Sequence, residues 1–227
     1  AAGFTMNHRN IKHLDNFIQK DYLKKKLHSD NVNKYDLELS SSAIKGKFMN
    51  NDAYLIMQHY SEIMDYDLVN PFVFNEPVSP NFAARQTGVI VELAPILSSY
   101  NQLTLVSDYT VVEGIGGWRV PLSDDIKMND LVHELGLPVL LVVGLRLGCI
   151  NHAILTAEAI RSDGLVLCGW VSNQVEKNYP CREETKILLS RELACPNIAD
   201  LGYMNDINYA EMSKKIDLSH ILGFGVR

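Results

Sequence analysis

The fold is read from Tyr109-Thr-Val-Val-Glu-Gly-Ile-Gly-Gly-Trp-Arg-Val-Pro-Leu-Ser-Asp124. Val111 and Val112 read as the end of a buried strand. The strand delivers a carboxylate, Glu113, into a turn that holds Gly114, Gly116 and Gly117. In an open parallel sheet, ligands sit at the carboxyl ends of the strands. An acid there, beside backbone stripped of side chains, suits a magnesium ion and a phosphate chain. Two roles stay open for each part. Glu113 is either a metal ligand or an exposed strand-end acid. The glycines either approach a ligand with their backbone or supply positive φ to the turn.

Downstream the pattern is strongly α/β. A strand at 110–112 is followed by a helix at 128–135, with Asn129 or Asp130 near its start. A run of Val and Leu at 138–143 reads as a central parallel strand covered on both faces. A helix follows at 151–161, a strand at 166–171, a helix at 183–193, and a last short helix at 216–222. This alternation predicts a single-domain α/β fold over 1–227, with a parallel sheet flanked by helices and right-handed crossovers. Upstream, Ile11, Leu14, Phe17 and Ile18 predict an amphipathic helix near 10–27. Ala53, Ile56, Met57 and Tyr60 predict another over 51–64. Pro71, Pro77 and Pro80 mark a loop that leads to a helix near 80–87.

Composition narrows the class. A chain of 227 residues suffices for one well-buried domain. The formal net charge of −6 argues against a general nucleic-acid binder. The lysines at 20 and 24–26 read as a solvated helix face. Cys149, Cys168, Cys181 and Cys195 show neither zinc nor disulfide spacing, and Cys149 and Cys168 sit in apolar surroundings as small buried hydrophobes. A cytoplasmic location is the default expectation. No apolar run is long enough to span a bilayer, so no membrane partner is expected.

Three further segments carry candidate chemistry. The loop after the 138–143 strand enters a helix near Asn151, so Gly148, Cys149, Ile150 and Asn151 frame a helix start whose N–H groups can bind an anion. Asn151 is equally a good N-cap, and His152 reads as structural or solvent-facing. Asn173 ends a strand with an amide that can pair with a purine edge or cap a turn. Asp52 opens a helix, where capping is the ordinary role.

Taken together these blocks resemble the dethiobiotin synthetase family. The resemblance is carried by Asn51-Asp-Ala53, by Val69-Asn-Pro-Phe72 with Glu76-Pro-Val-Ser-Pro80, and by Val112-Glu-Gly-Ile-Gly-Gly-Trp118 with Pro121-Leu-Ser-Asp124. It continues through Leu137-Pro-Val-Leu-Leu-Val-Val143, Leu147-Gly-Cys-Ile-Asn-His-Ala153 and Gly169-Trp-Val-Ser-Asn173. It covers residues 48–222, and 1–45 form a divergent segment. It implies a fold of the P-loop NTPase type. It also implies a magnesium-dependent cyclo-ligase that makes dethiobiotin from 7,8-diaminopelargonate, carbon dioxide and ATP. Asp52 and Glu113 would hold magnesium. Gly116 and Gly117 would approach the nucleotide, Asn173 would read adenine, and residues 148–151 would bind the substrate carboxylate across a homodimer interface. No residue stands out as catalytic.

The family's first segment, with its Gly-Lys-Thr phosphate loop, has no counterpart here. Residues 1–30 contain one glycine, Gly3; Lys45 and Ser41 lie nearby, but their spacing to Asp52 does not match, and a phosphate role for Lys45 or Lys47 stays open. The departure opens a second expectation: a non-catalytic binding or dimer-partner protein on the same fold.

Overall fold

The computed structural model describes residues 3–8, 50–59, 65–219 and 221. The expected helix at 10–27, Lys45 and Lys47 lie outside them. The chain divides into two compact units. The first comprises residues 1–10, 107–121 and 125–227, and the second 11–106 and 122–124.

The first unit is built on a five-stranded sheet. Its strands are β1 (Gly3–His8), β2 (Tyr109–Glu113), β3 (Val139–Leu145), β4 (Leu167–Gln174) and β5 (Asn197–Leu201), in the order β2-β1-β3-β4-β5. β3, β4 and β5 pair in parallel, which for β3 and β4 is what their apolar runs predict. β1 pairs antiparallel with both β2 and β3. Four strands therefore share one direction, and β1 alone runs against them. Sequence reasoning found neither β1 nor β5.

The expectation that 111–112 ends a buried strand is corrected. β2 is the outer strand of the described sheet, and Val111 is 50% exposed. An outer strand has one face and one edge uncovered, so its valines are not enclosed as those of β3 are.

Helices follow the strands. α5 (Met128–Leu135) runs where its pattern predicts. Asp130 accepts a hydrogen bond from the Lys127 N–H at 2.8 Å, which satisfies one orphan donor of the first turn. α6 (Cys149–Ser162) follows β3 and packs on it and on α7 (Arg182–Leu193). Ile160, Leu189 and Leu193 are fully enclosed, as are Leu141 and Trp170. A second apolar cluster gathers Leu140, Cys168, Val171, Ile198, Ala199, Leu201 and Ile221.

The expected helix at 216–222 does not form among the described residues. Ile216 instead bridges antiparallel to Ala199, and the Asp217 N–H donates to the Ile198 carbonyl at 2.7 Å. Backbone pairing with β5 wins over the apolar spacing. The short helix of this region is α8 (Tyr209–Ser213), capped by Asn208.

The second unit is helical where described. It holds α1 (Asn51–Gln58), α2 (Tyr66–Val69), α3 (Pro80–Thr87) and α4 (Leu93–Val106). α3 matches its expected span, and α4 was not foreseen. Within α1, Ala53 is buried but Ile56 is exposed, so the stripe read from sequence does not all face inward. Buried Tyr66 knits the unit together: its hydroxyl accepts from the Asn50 N–H at 2.7 Å and from Asn70 Nδ2 at 2.9 Å.

Candidate active site

The candidate residues fall into three groups. The first lies at the carboxyl edge of β3 and β4. Asn173 stands opposite Gly144 on β3 and Leu201 on β5, half-buried, inside the strand and not in a turn. Among the described residues nothing hydrogen-bonds its carboxamide, so neither its donor nor its acceptor is used within the described protein. Across a three-residue loop from β3, α6 begins.

The expectation that Asn151 caps this helix is corrected. Gly148 is the cap, at φ 89, and Asn151 is the third helical residue. Glycine takes this left-handed conformation without steric cost, so the helix starts two residues before the expected position. The Cys149 N–H is used by the Arg146 carbonyl at 3.1 Å and the His152 N–H by the Gly148 carbonyl at 3.3 Å. The N–H groups of Ile150 and Asn151 are left as first-turn donors, at the positive end of the helix dipole. Burial, and then the charge of Arg146, hold the His152 imidazole below its ordinary range. The shift disfavours the charged imidazole, so the positive end of this helix start rests on its N–H groups. Buried Cys149 lies 3.9 Å from the Tyr179 hydroxyl, which shares a 2.9 Å hydrogen bond with Thr185. This link seats the start of α6 against the segment that follows Asn173. Leu147, beside it, is 93% exposed.

The second group is the glycine turn. Glu113 is exposed and in register with Phe4 of β1, which is itself level with Leu140 near the start of β3. Asn173 lies at the other end of its strands. Three strand spacings and four residues separate the two, roughly 14 Å across and roughly 13 Å along. The structure therefore does not gather Glu113 with Asn173 and residues 148–151; they would touch one extended ligand only at its two ends. The cause is β1. Its antiparallel register slides β2 toward the amino end of β3. His8, the last residue of β1, is level with Tyr109 at the start of β2.

Gly116 takes φ +69, and a Cβ there would lie 2.7 Å from Val120 Cγ2. Only glycine fits this turn. Beneath it is an apolar cavity of about 20 Å³ lined by Val112, Ile115, Trp118 and Met128 among others, far too small for a nucleotide. Sequence reasoning missed the two residues at the exit of the turn. Trp118 is buried and donates from Nε1 to Asp163 Oδ2 at 2.8 Å, while Arg119 Nη2 donates to Asp163 Oδ1 at 2.8 Å. Asp163 is the C-cap of α6. No local motif signals a pairing over 45 residues; the structure alone reveals it.

The third group, in the helical unit, is Asp52. Asn50 is the N-cap of α1, and its Oδ1 accepts from the N–H groups of Asp52 and Ala53 at 2.9 and 3.1 Å. Capping is therefore not the role of Asp52. Its side chain is exposed, and no described residue hydrogen-bonds its carboxylate.

These donors suit a hydrated ion and not an enclosed one. Among the described residues no group of three or more His, Cys, Asp or Glu side chains is placed to hold a metal. Magnesium needs no such cage: it keeps several waters and takes one or two carboxylates with phosphate oxygens. The exposed Glu113 carboxylate beside bare backbone fits as one such donor.

Burial keeps two thiols protonated: Cys168 is pushed up to about 11, and Cys195 likewise to about 11. Cys149 and Cys168 are buried as expected. Among the described residues no helix is long and apolar enough to cross a membrane.

Comparison with known proteins supplies the wider context. A family model described as an AAA domain matches residues 42–217. An ATP-dependent dethiobiotin synthetase of Baumannia cicadellinicola is 40% identical over 172 residues, covering 76% of each chain. That of Pseudomonas paraeruginosa is 42% identical over 178 residues, 78% of each chain. That of Vibrio cholerae is 39% identical over 175 residues, 77% of this chain and 76% of the relative.

Proposed function

Because this chain belongs to the ATP-dependent dethiobiotin synthetase family, we propose that it closes the ureido ring of dethiobiotin from 7,8-diaminopelargonate, carbon dioxide and ATP. One observation carries the reading. At the carboxyl edge of β3 and β4, the unpartnered amide of Asn173 stands beside the open start of α6, where an α/β sheet holds its ligands.

The chemistry asks for positioning and charge neutralisation. One amine of the substrate adds to carbon dioxide, giving a carbamate. A carbamate oxygen attacks the γ-phosphorus of ATP, the bond to the bridging oxygen breaks, and ADP is released. The second amine then attacks the carbonyl carbon, the ring closes, and phosphate leaves. The N–H groups of Ile150 and Asn151, with Gly148 and Cys149 shaping the approach, hold the carboxylate of the diamine. The Asn173 carboxamide reads the adenine edge. The backbone of Gly116 and Gly117 lets a ligand come close, and Glu113 presents a carboxylate to magnesium. Magnesium, when bound, neutralises charge on the phosphate oxygens. Asp52 is a separate candidate ligand, to be tested by its own variant. We further propose a cytoplasmic homodimer; the bare Leu147 beside the start of α6 is a side chain that a partner surface would cover.

Isotopically labelled bicarbonate tests the reading. The expected result is label in dethiobiotin, dependent on ATP and magnesium and reduced about tenfold or more by Glu113→Ala. Absence of product from the parent protein at saturating ATP, diamine and bicarbonate overturns it.

A further inference from the structure

We infer that Asp163 is a positioning residue for the glycine turn. Its carboxylate clamps Trp118 and Arg119, and so sets the shape of 114–117 and the direction of Glu113. The functional consequence rests on the reading of Glu113 as a ligand of the nucleotide's magnesium.

Each oxygen of the Asp163 carboxylate accepts one hydrogen bond at 2.8 Å, and the donors belong to consecutive residues. Both residues directly follow Gly116 and Gly117. One acid thus adds the side-chain grip at the exit of a turn whose backbone is held there by the Val120 N–H on the Gly117 carbonyl at 3.1 Å and the Met128 N–H on the Val120 carbonyl at 2.9 Å, and whose entry is fixed by the β1–β2 ladder that ends at Glu113. The underside of the turn offers no comparable grip, because the cavity below it is apolar. Nor are the glycines themselves stiff, since they lack the Cβ that restricts other residues. A turn with such freedom keeps one shape only if its ends are held.

The other partner is rigid. Asp163 caps the fourteen-residue helix α6, and its own N–H donates to the Ala159 carbonyl at 3.0 Å. The α6 helix spans roughly 21 Å, from the candidate anion site at its start to this clamp at its end. Trp118 is buried and Asp163 mostly so, whereas Arg119 is half exposed. The Trp118 bond is therefore the better shielded of the two.

Amide hydrogen exchange on the parent, Asp163→Ala and Asp163→Asn tests the clamp, with Ile160→Val in the same helix as a control for mild destabilisation. The isosteric Asn keeps one acceptor, so the test stands even if the Ala variant folds poorly. Exchange at residues 114–120 should quicken at least tenfold in Asp163→Ala, less in Asp163→Asn, and not in Ile160→Val. The Trp118 indole N–H resonance should shift in both Asp163 variants. Calorimetry with ATP and magnesium should then show affinity weakened about tenfold in Asp163→Ala and unchanged in Ile160→Val. Turn amides that exchange at the parent rate overturn the clamp. Faster turn exchange with unchanged affinity overturns its role toward the nucleotide. A parent protein that binds no nucleotide overturns the enzymatic reading instead, and the exchange rates then decide the clamp by themselves.

Discussion

At the level of single residues, Gly116 and Gly136 separate two uses of glycine. Both take positive φ, but only at Gly116 would a Cβ meet a neighbour, Val120 Cγ2 at 2.7 Å; at Gly136 nothing lies within 4 Å. An alanine at either position costs about 1–2 kcal/mol of backbone strain. Gly116→Ala adds about 1–3 kcal/mol because Val120 must move. Thermal unfolding should therefore show a clearly larger fall in Tm for Gly116→Ala than for Gly136→Ala; equal falls would refute the crowding. Candidate residues are legible in the sequence where their chemistry is local. Glu113 beside three glycines, and Asn173 at a strand end, announce themselves by type and position. Asp163 does not, because its partners lie 44 and 45 residues away and nothing in Ser162-Asp-Gly164 hints at them.

Among the elements, β5 is anchored by an ionic network. Asp200 accepts from Ser172 Oγ at 2.7 Å and from Lys186 Nζ at 2.5 Å, and pairs with Arg182. Burial pushes the Asp200 carboxyl up, but Lys186, Ser172 and Arg182 outweigh it and hold it below its ordinary 3.8. Burial pushes Lys186 down, but Asp200 and Glu183 outweigh it and hold it above 10.5. The unfolded chain binds the Asp200 proton more readily than the folded one. Its contribution is thus present above pH 3.8 and is lost as pH falls through the lower folded value. That of Lys186 is present below pH 10.5 and is lost as pH rises past its folded value. The Tm difference between the parent and Asp200→Asn should hold steady from about pH 6 to 8 and shrink on acidification below about pH 4. A difference that grows in acid would contradict the assignment.

The elements also show where periodicity suffices. α5 and β3 were legible because one is strongly amphipathic and the other uniformly apolar. β5, Asn197-Ile-Ala-Asp-Leu201, is short and half polar. β1 is as brief, with no apolar run. α4 carries Pro95 in its first turn and serines among its apolar residues, which blurs a single face. At 216–222 the apolar spacing is genuine, but Leu218 and Ile221 serve the core from a turn.

For the molecule as a whole, the parallel α/β architecture follows from alternation of element types, and the sense of β1 does not. No pattern within β1 tells the strand which way to run. The consequence is large, because β1 holds β2 in the described sheet and fixes how far Glu113 reaches. Thr5 pairs with Val112 on one side and Val139 on the other. Thr5→Pro removes a ladder donor from an interior strand, at about 3 kcal/mol. The expected fall in Tm is roughly 6–12 °C for a chain of this size. An unchanged Tm would show that β1 does not hold the sheet together.

On the function proposed here, ATP and magnesium are held between the glycine turn and the carboxyl edge of the sheet, with Glu113 and Asn173 as separate anchors. Calorimetric titration of the parent, Glu113→Ala and Asn173→Ala with ATP, with and without magnesium, reads both anchors at once. The parent should bind, and its binding should need magnesium and weaken about tenfold in Glu113→Ala. Asn173→Ala should weaken binding of ATP while leaving inorganic triphosphate unaffected. No binding by the parent, or binding indifferent to both substitutions, would contradict the proposed site.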